Sequence, residues 1–470
     1  MKYLIFGTGD YYNRYKKWFA REDIVALIDN SPGKQNTYLD GIQILSPEQG
    51  VKLAYDVVVI LSFYVKSMRQ QLLELGVSKE NIYHFYELHN LFCRGENKLP
   101  ADYKKPIQYY NDAENLDKSR YTLLLSNDLT LGGPAIALYH MAQALRARGD
   151  NVVFASMLDG PLRDTLVSEG IPVVVDVNLQ IETMREAEWT AGFARIVCNT
   201  INFYVFLSER DTRIPIVWWL HDSLFFYDGV DKEALCGLNR ENMRIYAVGP
   251  VARGAIAGFI PDMEIGDLLY GVTDEAVGCT KRNNDGNGKI CFVTIGYIEA
   301  RKGQDILIRA IQKIPENILR KAEFYLVGQK TSQMAKQIEE IIQNIPEVIM
   351  TGTMDRDEIH KILDRADVMI CPSREDPMPT VAAEAMMHRV PCIVSDAAGT
   401  AGYICSKTDG IVFCSEDEQE LADRMIWCIE HHDQLSDMGI RAREIYDKTF
   451  SMTAFEKKIT EIMKMPPEVS

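Results

Sequence analysis

Short apolar runs recur along the whole chain, and most are followed by a glycine-containing or polar turn and then by a stretch with helical periodicity. Strands buried on both faces of a parallel sheet are continuously apolar, and strands that alternate with helices are typical of such sheets. The pattern therefore predicts an α/β protein. The predicted strands are residues 2–6, 24–28, 56–61, 121–125, 152–155, 196–198, 214–220, 290–295, 323–327, 348–350, 368–371 and 392–395.

The alternation falls into three blocks, which we predict to be separate domains. A segment rich in proline, charge and tyrosine follows the first block, and we predict that it is a linker packed on the surface. A polar run at 281–288 lies near the junction of the other two blocks. The predicted units are a first small domain (1–93), the linker (94–120), a second domain (121–274), a third domain (275–445) and a C-terminal helix that crosses back to the second domain (446–470).

Composition and charge narrow the class of protein. The chain has 470 residues, of which 47% are hydrophobic and 25% charged, as expected for a globular protein. Lys and Arg number 51 against 67 Asp and Glu, and the net charge of −16 argues against a nucleic-acid partner bound by overall charge. No apolar run approaches the roughly 18 residues of a membrane span. We expect a cytoplasmic protein without a transmembrane segment or signal peptide, and peripheral membrane contact stays open.

The cysteines and histidines do not have the spacing of a metal site. The ten cysteines form no C-x-x-C pair, and the eight histidines show no H-x-x-x-H spacing. Several cysteines, such as Cys371 and Cys392, lie in apolar runs. We therefore expect free, buried thiols in a reducing compartment and no zinc site.

Gly132 and Gly133 follow a predicted strand and precede a helix predicted over 134–148. Such a turn lets a ligand approach the backbone, and the start of the helix offers unpaired N–H groups to a phosphate. An ordinary strand–helix turn has the same sequence pattern, so both interpretations stay open.

Arg301 and Lys302 lie in a second strand–helix connection, between the strand at 290–295 and a helix predicted over 306–314. Two adjacent cations at the carboxyl end of a strand suit a diphosphate. The alternative is a solvated charge pair without a ligand.

The most informative stretch is 368–387. A predicted buried strand ends before Pro372, an acidic loop follows, and Pro379 suits the first turn of a helix. Asp376 then lies in the loop and Glu384 one turn into the helix, near its positive end. Carboxylates there bind sugar hydroxyls while backbone amides receive a phosphate. In the alternative interpretation Asp376 only caps the helix and Glu384 lies on the surface.

This stretch resembles a motif of a known family. Asp376 and Glu384, separated by seven residues and followed by Ala385 and Met386, resemble the acid-x7-Glu motif of the retaining glycosyltransferases of family 4, which are group 1 glycosyl transferases. The resemblance covers residues 121–462 and implies the GT-B architecture, in which two doubly wound Rossmann-like domains face each other across a cleft. Further stretches that match in the family's order are 131–149, 218–222, 269–272, 366–373, 399–410 and 450–451.

The resemblance also implies roles for individual residues. Asp376 would hold hydroxyls of the donor sugar, Glu384 the ribose hydroxyls, and His221 would contact a sugar in the cleft, although a lone histidine after an apolar run is often structural. Since the usual first acid of the motif is Glu, whether Glu375 or Asp376 contacts the donor sugar stays open. The implied donor-binding residues are Gly132, Gly133, Arg301, Lys302, Met378, Thr380 and Val381.

Two further features bear on the chemistry that the resemblance implies. Tyr297 stands where the family often has Arg, and we expect Arg301 to supply the missing charge beside Lys302. Asp355 and Asp357 have D-x-D spacing, but Asp355 also precedes Glu358 as in a capping box, which predicts a helix cap. The resemblance implies neither a metal nor a required cofactor.

The first block carries a pattern of its own. Gly7 and Gly9 follow its first strand, and Asp29 ends the next strand about 20 residues later, which is the dinucleotide-binding pattern with Tyr12 in place of the third glycine. The block is similar to the small Rossmann-like domains found beside sugar-modifying enzymes. Its ligand could be a nucleotide, a sugar nucleotide or CoA, with Gly7, Gly9 and Asp29 as nucleotide contacts, or the block could serve only for docking.

We therefore expect a retaining, metal-independent hexosyltransferase with a nucleoside diphosphate sugar as donor and a glycan or lipid-linked acceptor. A role in cell-surface polysaccharide synthesis is implied by the resemblance alone. The alternatives are another GT-B activity, such as a phosphorylase or a storage-glucan synthase, and a non-catalytic sugar-nucleotide or glycan-binding protein on a decayed scaffold.

Overall fold

The structure is a computed structural model that describes residues 1–93, 99–100, 103–276 and 288–464. These residues form three mainly parallel sheets with helices packed on them, so the predicted α/β class is confirmed. Several predicted features lie outside the described residues: most of the polar run 281–288, Cys279, positions 94–98 and 101–102 of the linker, and the last six residues of the C-terminal segment.

The first sheet is built from residues near the amino terminus. Its elements are β1 (Tyr3–Phe6), α1 (Asp10–Tyr15), β2 (Ile24–Ile28), β3 (Tyr38–Leu39), β4 (Ile42–Leu45), α2 (Pro47–Gly50), β5 (Val57–Ile60), α3 (Val65–Glu74), β6 (Ile82–His84) and α4 (Leu88–Cys93). The strand order is β3-β4-β2-β1-β5-β6, and only β3 and β4 pair antiparallel. The central strands β1 and β5 are wholly buried, which explains their continuous apolar sequences.

The second sheet has eight strands. Its elements are β7 (Gln108–Tyr110), β8 (Tyr121–Ser126), α5 (Gly133–Ala147), β9 (Asn151–Ser156), α6 (Leu162–Ser168), β10 (Val173–Val175), β11 (Arg195–Asn199), β12 (Ile216–Leu220), α7 (Lys232–Cys236), β13 (Met243–Ala247), α8 (Pro250–Ala257) and β14 (Ile265–Asp267). The strand order is β14-β13-β12-β11-β8-β9-β10-β7, and only β10 and β7 pair antiparallel.

The third sheet has six parallel strands in the order β17-β16-β15-β18-β19-β20. The elements of this part of the chain are β15 (Ile290–Ile295), α9 (Gln304–Ile311), α10 (Glu316–Leu319), β16 (Ala322–Val327), α11 (Gln333–Ile342), β17 (Val348–Gly352), α12 (Arg356–Arg365), β18 (Val368–Cys371), α13 (Thr380–Met387), β19 (Cys392–Ser395), β20 (Ile411–Phe413), α14 (Glu418–Glu430), α15 (Leu435–Ile445) and α16 (Met452–Lys464).

The predicted strands all occur, within two residues at each end. The strands that the sequence analysis missed lie at sheet edges or next to them, and most of them have only two to four residues. One of them corrects the interpretation of residues 94–120 as a surface linker. Its residues Gln108–Tyr110 form β7, which pairs with β10 and closes the edge of the second sheet. Three residues with intermediate or high exposure carry no hydrophobic pattern that could reveal a strand.

Continuous hydrophobic cores join the sheets. One core contains Trp18 and Phe85 from the first sheet region together with Trp218 from the second. Another contains Trp219 from the second sheet region together with Met386 from the third. The second sheet is therefore packed against both of the others.

The C-terminal helix α16 packs on the second sheet region. The ring of Phe455 stacks on Trp219 with centroids 5.7 Å apart, and an Arg195 guanidinium donates to the Met463 carbonyl at 3.3 Å. The backbone N–H of Val272 donates to the Phe450 carbonyl at 2.7 Å. The last helix thus follows the third sheet in the chain but contacts the second domain.

The nine cysteines within the described residues are free, and six of them are buried. Cys236, Cys405 and Cys414 are exposed, which corrects the expectation of buried thiols at these positions. The buried ones are Cys93, Cys198, Cys291, Cys371, Cys392 and Cys428. Within the described ranges, none of the helices combines the length and hydrophobicity needed to span a bilayer.

We predict that Phe455→Ala lowers the free energy of unfolding by about 3–5 kcal/mol, because a large side chain that is 2% exposed leaves a cavity against Trp219. Urea denaturation followed by tryptophan fluorescence measures the change. Lys457→Ala, on the exposed face of the same helix, is the control and should stay within about 0.5 kcal/mol of the wild type. Equal effects of both variants would contradict the packing described here.

Candidate functional site

Two neighbouring cavities lie between the second and third sheets. The lysine cavity, of about 240 Å³, is lined by Gly133, Pro134, His221, Phe226, Val248, Tyr270, Arg301, Lys302, Asp376, Pro377, Met378, Pro379 and Thr380. The glutamate cavity, of about 380 Å³, is lined by Leu131, Gly133, Ile136, Ala137, His140, Tyr270, Gly271, Val272, Thr273, Glu275, Arg356, Thr380 and Glu384. The two cavities share Gly133, Tyr270 and Thr380, so they form one cleft.

An ion pair stands in the wall of the lysine cavity. The Lys302 ammonium donates to an Asp376 carboxylate oxygen at 2.6 Å, and both side chains are largely shielded from solvent. Gly303 next to this lysine has φ +71° and lies so close to β18 that a Cβ atom would be 2.0 Å from the Pro372 carbonyl oxygen. The Arg301–Lys302 turn is therefore held against the end of the strand that leads to Asp376.

The loop around Asp376 is held by a second close contact. The Asp376 N–H donates to the Ala397 carbonyl at 3.2 Å, and the Gly399 N–H donates to the Asp376 carbonyl at 2.9 Å. A Cβ atom on Gly399 would lie 1.8 Å from the Pro377 carbonyl oxygen, so only glycine allows this approach. The carboxylate of Asp376 is thus presented to the cavity by a constrained backbone.

Glu375 and Asp376 point to different partners. A Glu375 carboxylate oxygen accepts a hydrogen bond from the Phe225 N–H of the second domain at 3.1 Å, and its backbone carbonyl accepts one from Arg301 at 3.2 Å. Asp376 lines the cavity and Glu375 does not. Of the two acids, Asp376 is therefore the one that faces the cavity.

Glu384 stands in the other cavity and is only 6% exposed. One of its carboxylate oxygens accepts a hydrogen bond from Arg356 at 2.7 Å, and Arg356 also lies 3.6 Å from Glu275. Burial alone would lower the pKa of Arg356, but the two carboxylates raise it. Glu384 is therefore buried and paired with the Arg356 guanidinium, so it does not lie on the open surface as in the alternative interpretation.

His221 and Asp222 follow the strand β12 directly. Asp222 is buried, whereas His221 is half-buried with its Nε2 atom enclosed. Burial lowers the pKa of His221 to about 3, and its Nε2 atom has no hydrogen-bond partner among the described residues. Burial likewise raises the pKa of Asp222 to about 7, although the Ile201 N–H donates to its carboxylate at 2.7 Å. At neutral pH His221 is therefore an uncharged imidazole in the cavity wall.

Most of the catalytic and donor-binding residues predicted from the sequence line the cleft. The lysine cavity is lined by His221, Gly133, Arg301, Lys302, Asp376, Met378 and Thr380, and the glutamate cavity is lined by Glu384. Gly132 and Val381 lie beside these residues in the chain but outside both cavity walls; Gly132 precedes α5 and Val381 packs on the core. Tyr297 is 67% exposed.

Several lining residues were not named as site residues in the sequence analysis, among them His140, Phe226, Tyr270 and Arg356. Tyr270 lines both cavities, and its buried hydroxyl has no hydrogen-bond partner within the described chain. His140 donates from Nδ1 to the Gly271 carbonyl at 2.8 Å. His140 and Tyr270 lie in stretches that match the family's order, 131–149 and 269–272, but contacts with distant segments bring their side chains to the cleft, and local spacing does not show such contacts.

Asp355, the first residue of the D-x-D pair, has a structural role. Asp355 caps α12: its carboxylate accepts from the Glu358 N–H at 2.9 Å, and the Glu358 carboxylate accepts from the Asp355 N–H at 2.9 Å. The predicted capping box is confirmed.

Gly7, Gly9 and Asp29 line a separate N-terminal cavity in the first domain. Another group with metal-ligand chemistry, His89, Cys93 and Glu186, lies between the first and second domains. Burial alone would raise the pKa of Glu186, but hydrogen bonds from His89 and from the N–H groups of Thr183 and Leu99 lower it to about 2. These contacts already satisfy the carboxylate, and the absence of a metal stays a prediction.

Parts of the chain match known families. Residues 280–445 match the family described as Glycosyl transferases group 1, which supports the resemblance over this part of the chain. Residues 1–83 match the family described as C2185-like, N-terminal.

Curated relatives match over limited segments. The chain is 30% identical over 120 residues to the uncharacterized glycosyltransferase MJ1607 of Methanocaldococcus jannaschii, which covers 25% of this chain and 30% of that protein. It is 25% identical over 178 residues to the uncharacterized glycosyltransferase MJ1178 of the same organism, covering 37% and 47%. The matched segments thus span less than half the length of these two relatives.

Solved structures are similar over a longer range. The chain is 20% identical to Anabaena Alr3699/HepE in complex with UDP and glucose, with a TM-score of 0.60, covering 73% of this chain and 99% of that one. It is 15% identical to WaaG, a glycosyltransferase involved in lipopolysaccharide biosynthesis, with a TM-score of 0.56, covering 73% and 100%. At this level of identity the likeness shows the fold, and the predicted GT-B architecture is confirmed.

The opposite pKa shifts of His221 and Asp222 predict opposite pH profiles of stability. The unfolded chain protonates His221 near pH 6.5 but the folded protein only near pH 3, so this group makes the protein less stable as the pH falls below 6.5. The unfolded chain loses the Asp222 proton near pH 3.8 but the folded protein only near pH 7, so this group makes it less stable as the pH rises from 3.8 to 7.

Urea unfolding of Asp222→Asn, His221→Gln and the wild type at pH 5 to 6.5 tests this. Relative to the wild type, the free energy of unfolding should rise with pH in Asp222→Asn and fall with pH in His221→Gln, each by up to about 1.4 kcal/mol per pH unit. Three parallel profiles would show that neither group is held neutral by burial.

Proposed function

We propose that the protein is a retaining glycosyltransferase that moves a hexosyl unit from a nucleoside diphosphate sugar to a glycan or lipid-linked acceptor. The observation that carries the proposal is the lysine cavity, in which Arg301 and Lys302 of the third domain meet His221 of the second. The match to group 1 glycosyl transferases and the fold shared with a UDP-bound and glucose-bound protein support it.

In this proposal the two cations bind the diphosphate. A lysine ammonium has three N–H donors, and Asp376 uses one of them, which leaves two for phosphate oxygens. Arg301 adds a second positive charge at the same edge, with backbone amides near Met378, Thr380 and Val381 beside it. Stabilising the charge that develops on the departing diphosphate is where such a site lowers the barrier most.

The carboxylates bind the two ends of the donor. Asp376 accepts hydrogen bonds from hydroxyls of the donor sugar. Glu384 has one oxygen bound to Arg356 and is assigned to the ribose hydroxyls through the other. The glycine turn at Gly132 and Gly133 lets the donor approach the start of α5.

The reaction breaks the bond between the sugar anomeric carbon and the diphosphate oxygen, and the electron pair leaves with the diphosphate. The acceptor hydroxyl oxygen forms the new bond on the same face of the sugar, and its proton passes to the departing phosphate oxygen. His221 is uncharged at neutral pH and so contributes a hydrogen bond rather than a positive charge. No metal, cofactor or covalent enzyme intermediate is part of this proposal.

The setting of the reaction is part of the proposal too. A cytoplasmic protein that supplies a cell-surface polysaccharide pathway fits the similarity to WaaG, a glycosyltransferase involved in lipopolysaccharide biosynthesis. The second candidate is a sugar-nucleotide-binding protein without activity. The exposed Tyr297, at a position where the family often has Arg, favours it.

We predict that UDP or another nucleoside diphosphate binds in the cleft and that Lys302→Gln and Glu384→Gln each weaken this binding about tenfold or more, as expected for the loss of a charge-assisted contact. Calorimetric titration with UDP, ADP, GDP and UDP-glucose measures the affinities. Lys336→Gln, at an exposed position on α11, is the matched control and should bind like the wild type.

Turnover distinguishes the two candidates. The transferase is supported if the protein releases nucleoside diphosphate from the sugar nucleotide and this activity is lost in Asp376→Asn but kept in Glu375→Gln. The anomeric proton of the product, observed by NMR, shows whether the configuration of the sugar is retained. If the donor binds but is neither transferred nor slowly hydrolysed, the inactive binding protein is supported. No nucleotide binding in any titration would overturn the proposed donor site.

A further inference from the structure

The N-terminal cavity has about 480 Å³ and lies at the carboxyl ends of β1, β2 and β5 of the first sheet. Ligands of parallel sheets bind at this edge. Its lining includes the Gly7–Gly9 turn, Arg14, Asp29, Lys34 and Phe63. The cavity is therefore polar at the strand ends, with aromatic rings on one side.

The two glycines of the turn have different reasons to be glycine. Gly7 has φ +109°, and a Cβ atom there would lie 2.5 Å from the Leu61 carbonyl oxygen, so packing within the domain requires it. Gly9 has φ −94° and ψ −150°, which any residue adopts, and a Cβ atom there would meet nothing within 4 Å. The protein itself does not need a glycine at position 9, but a ligand close to the backbone would.

Tyr12, in the place of the third glycine, does not block the cavity. Its side chain is 1% exposed and its hydroxyl donates to Asp40 at 3.1 Å, on the other side of the helix turn. The departure from the dinucleotide-binding pattern therefore leaves the cavity open.

Asp29 is half-buried and forms a polar cluster at the end of β2. Its carboxylate accepts hydrogen bonds from the Thr8 hydroxyl, from the Ser31 N–H at 2.8 Å and from Lys34 at 3.3 Å. An ionised carboxylate has about four acceptor positions, so one stays available to a hydroxyl group of a ligand. Lys34 balances the negative charge, which makes the cluster compatible with an anionic ligand.

Arg14 is a second cation in the wall of the N-terminal cavity, in addition to Lys34. Its guanidinium lies over the Tyr11 ring, 5.6 Å from the ring centroid, and 3.8 Å from Asp128 of the second domain. At 3.8 Å Arg14 and Asp128 form an ion pair without a hydrogen bond, so this contact leaves the N–H groups of Arg14 available for a phosphate. The rings of Tyr11 and Phe63, 4.2 Å apart, continue the wall.

We infer that the N-terminal cavity is a second ligand site of this protein, for a molecule that joins a phosphate group to a ribose or hexose ring. Arg14 binds the phosphate, Asp29 binds ring hydroxyls, and Gly9 allows the close approach of the ligand to the backbone. A nucleotide and a phosphorylated sugar share this chemistry. The inference does not rest on the proposed transferase function, since none of these residues lines the cleft.

The test uses the full chain and two probes, UMP and glucose 1-phosphate, in calorimetric titrations. Gly9→Leu fills the cavity with a side chain. Gly33→Leu is the matched control, because a Cβ atom at this glycine also meets nothing within 4 Å but the residue lies outside the cavity wall. Arg14→Gln removes the phosphate contact, and thermal melting confirms that all variants fold.

At least one probe should bind to the wild type and with similar affinity to Gly33→Leu. The same probe should bind to Arg14→Gln about tenfold or more weakly than to the wild type, and it should not bind to Gly9→Leu. Binding of UMP assigns the site to nucleotides, and binding of glucose 1-phosphate alone assigns it to sugar phosphates. Glu384→Gln identifies any binding in the cleft, so the two sites can fail independently. Absence of binding by both probes, or binding that Gly9→Leu leaves unchanged, would overturn the inference.

Discussion

Parallel pairing of strands buried on both faces is the constraint on which the rest of this structure depends. Such strands carry apolar side chains throughout, so the polar and charged groups collect in the loops at one edge of each sheet. Lys302 follows β15 and Asp376 follows β18, and these two strands are neighbours. Their loops therefore meet, although 74 residues separate the two side chains in the chain.

Close backbone contacts hold these loops in place. Gly303 lies against Pro372, Gly399 lies against Pro377, and each distance leaves no room for a side chain. Because the backbone is constrained at both contacts, the Lys302–Asp376 pair is positioned before any ligand arrives. Groups that need little reorganisation stabilise developing charge most effectively.

The first domain is in direct contact with the cleft. Phe63 lines the N-terminal cavity, Phe226 lines the lysine cavity, and their ring centroids are 5.3 Å apart. The neighbouring Phe225 contacts Phe63 as well and donates its N–H to Glu375, next to Asp376. The two proposed sites thus share an aromatic wall, so a change in one cavity has a short physical route to the other.

The sequence by itself determined the α/β class, the central strands and the residues that follow them. Continuous apolar runs and glycine turns are local signals, and the spacing of Asp376 and Glu384 resembles that of one family. It left open which of Glu375 and Asp376 faces the cleft, and it did not reveal the edge strand β7, because both depend on contacts with distant segments.

Only the tertiary structure decided how the local signals are used. A side chain at Gly7 would clash with the Leu61 carbonyl, whereas there is space for one at Gly9, and the sequence does not show this difference between the two glycines. The tertiary structure also placed Tyr270, His140 and Arg356 in the cleft, where single residues from separate segments meet. The physical reason is that burial, pKa and available space are set by what packs around a residue, and most of those neighbours are far away in the chain.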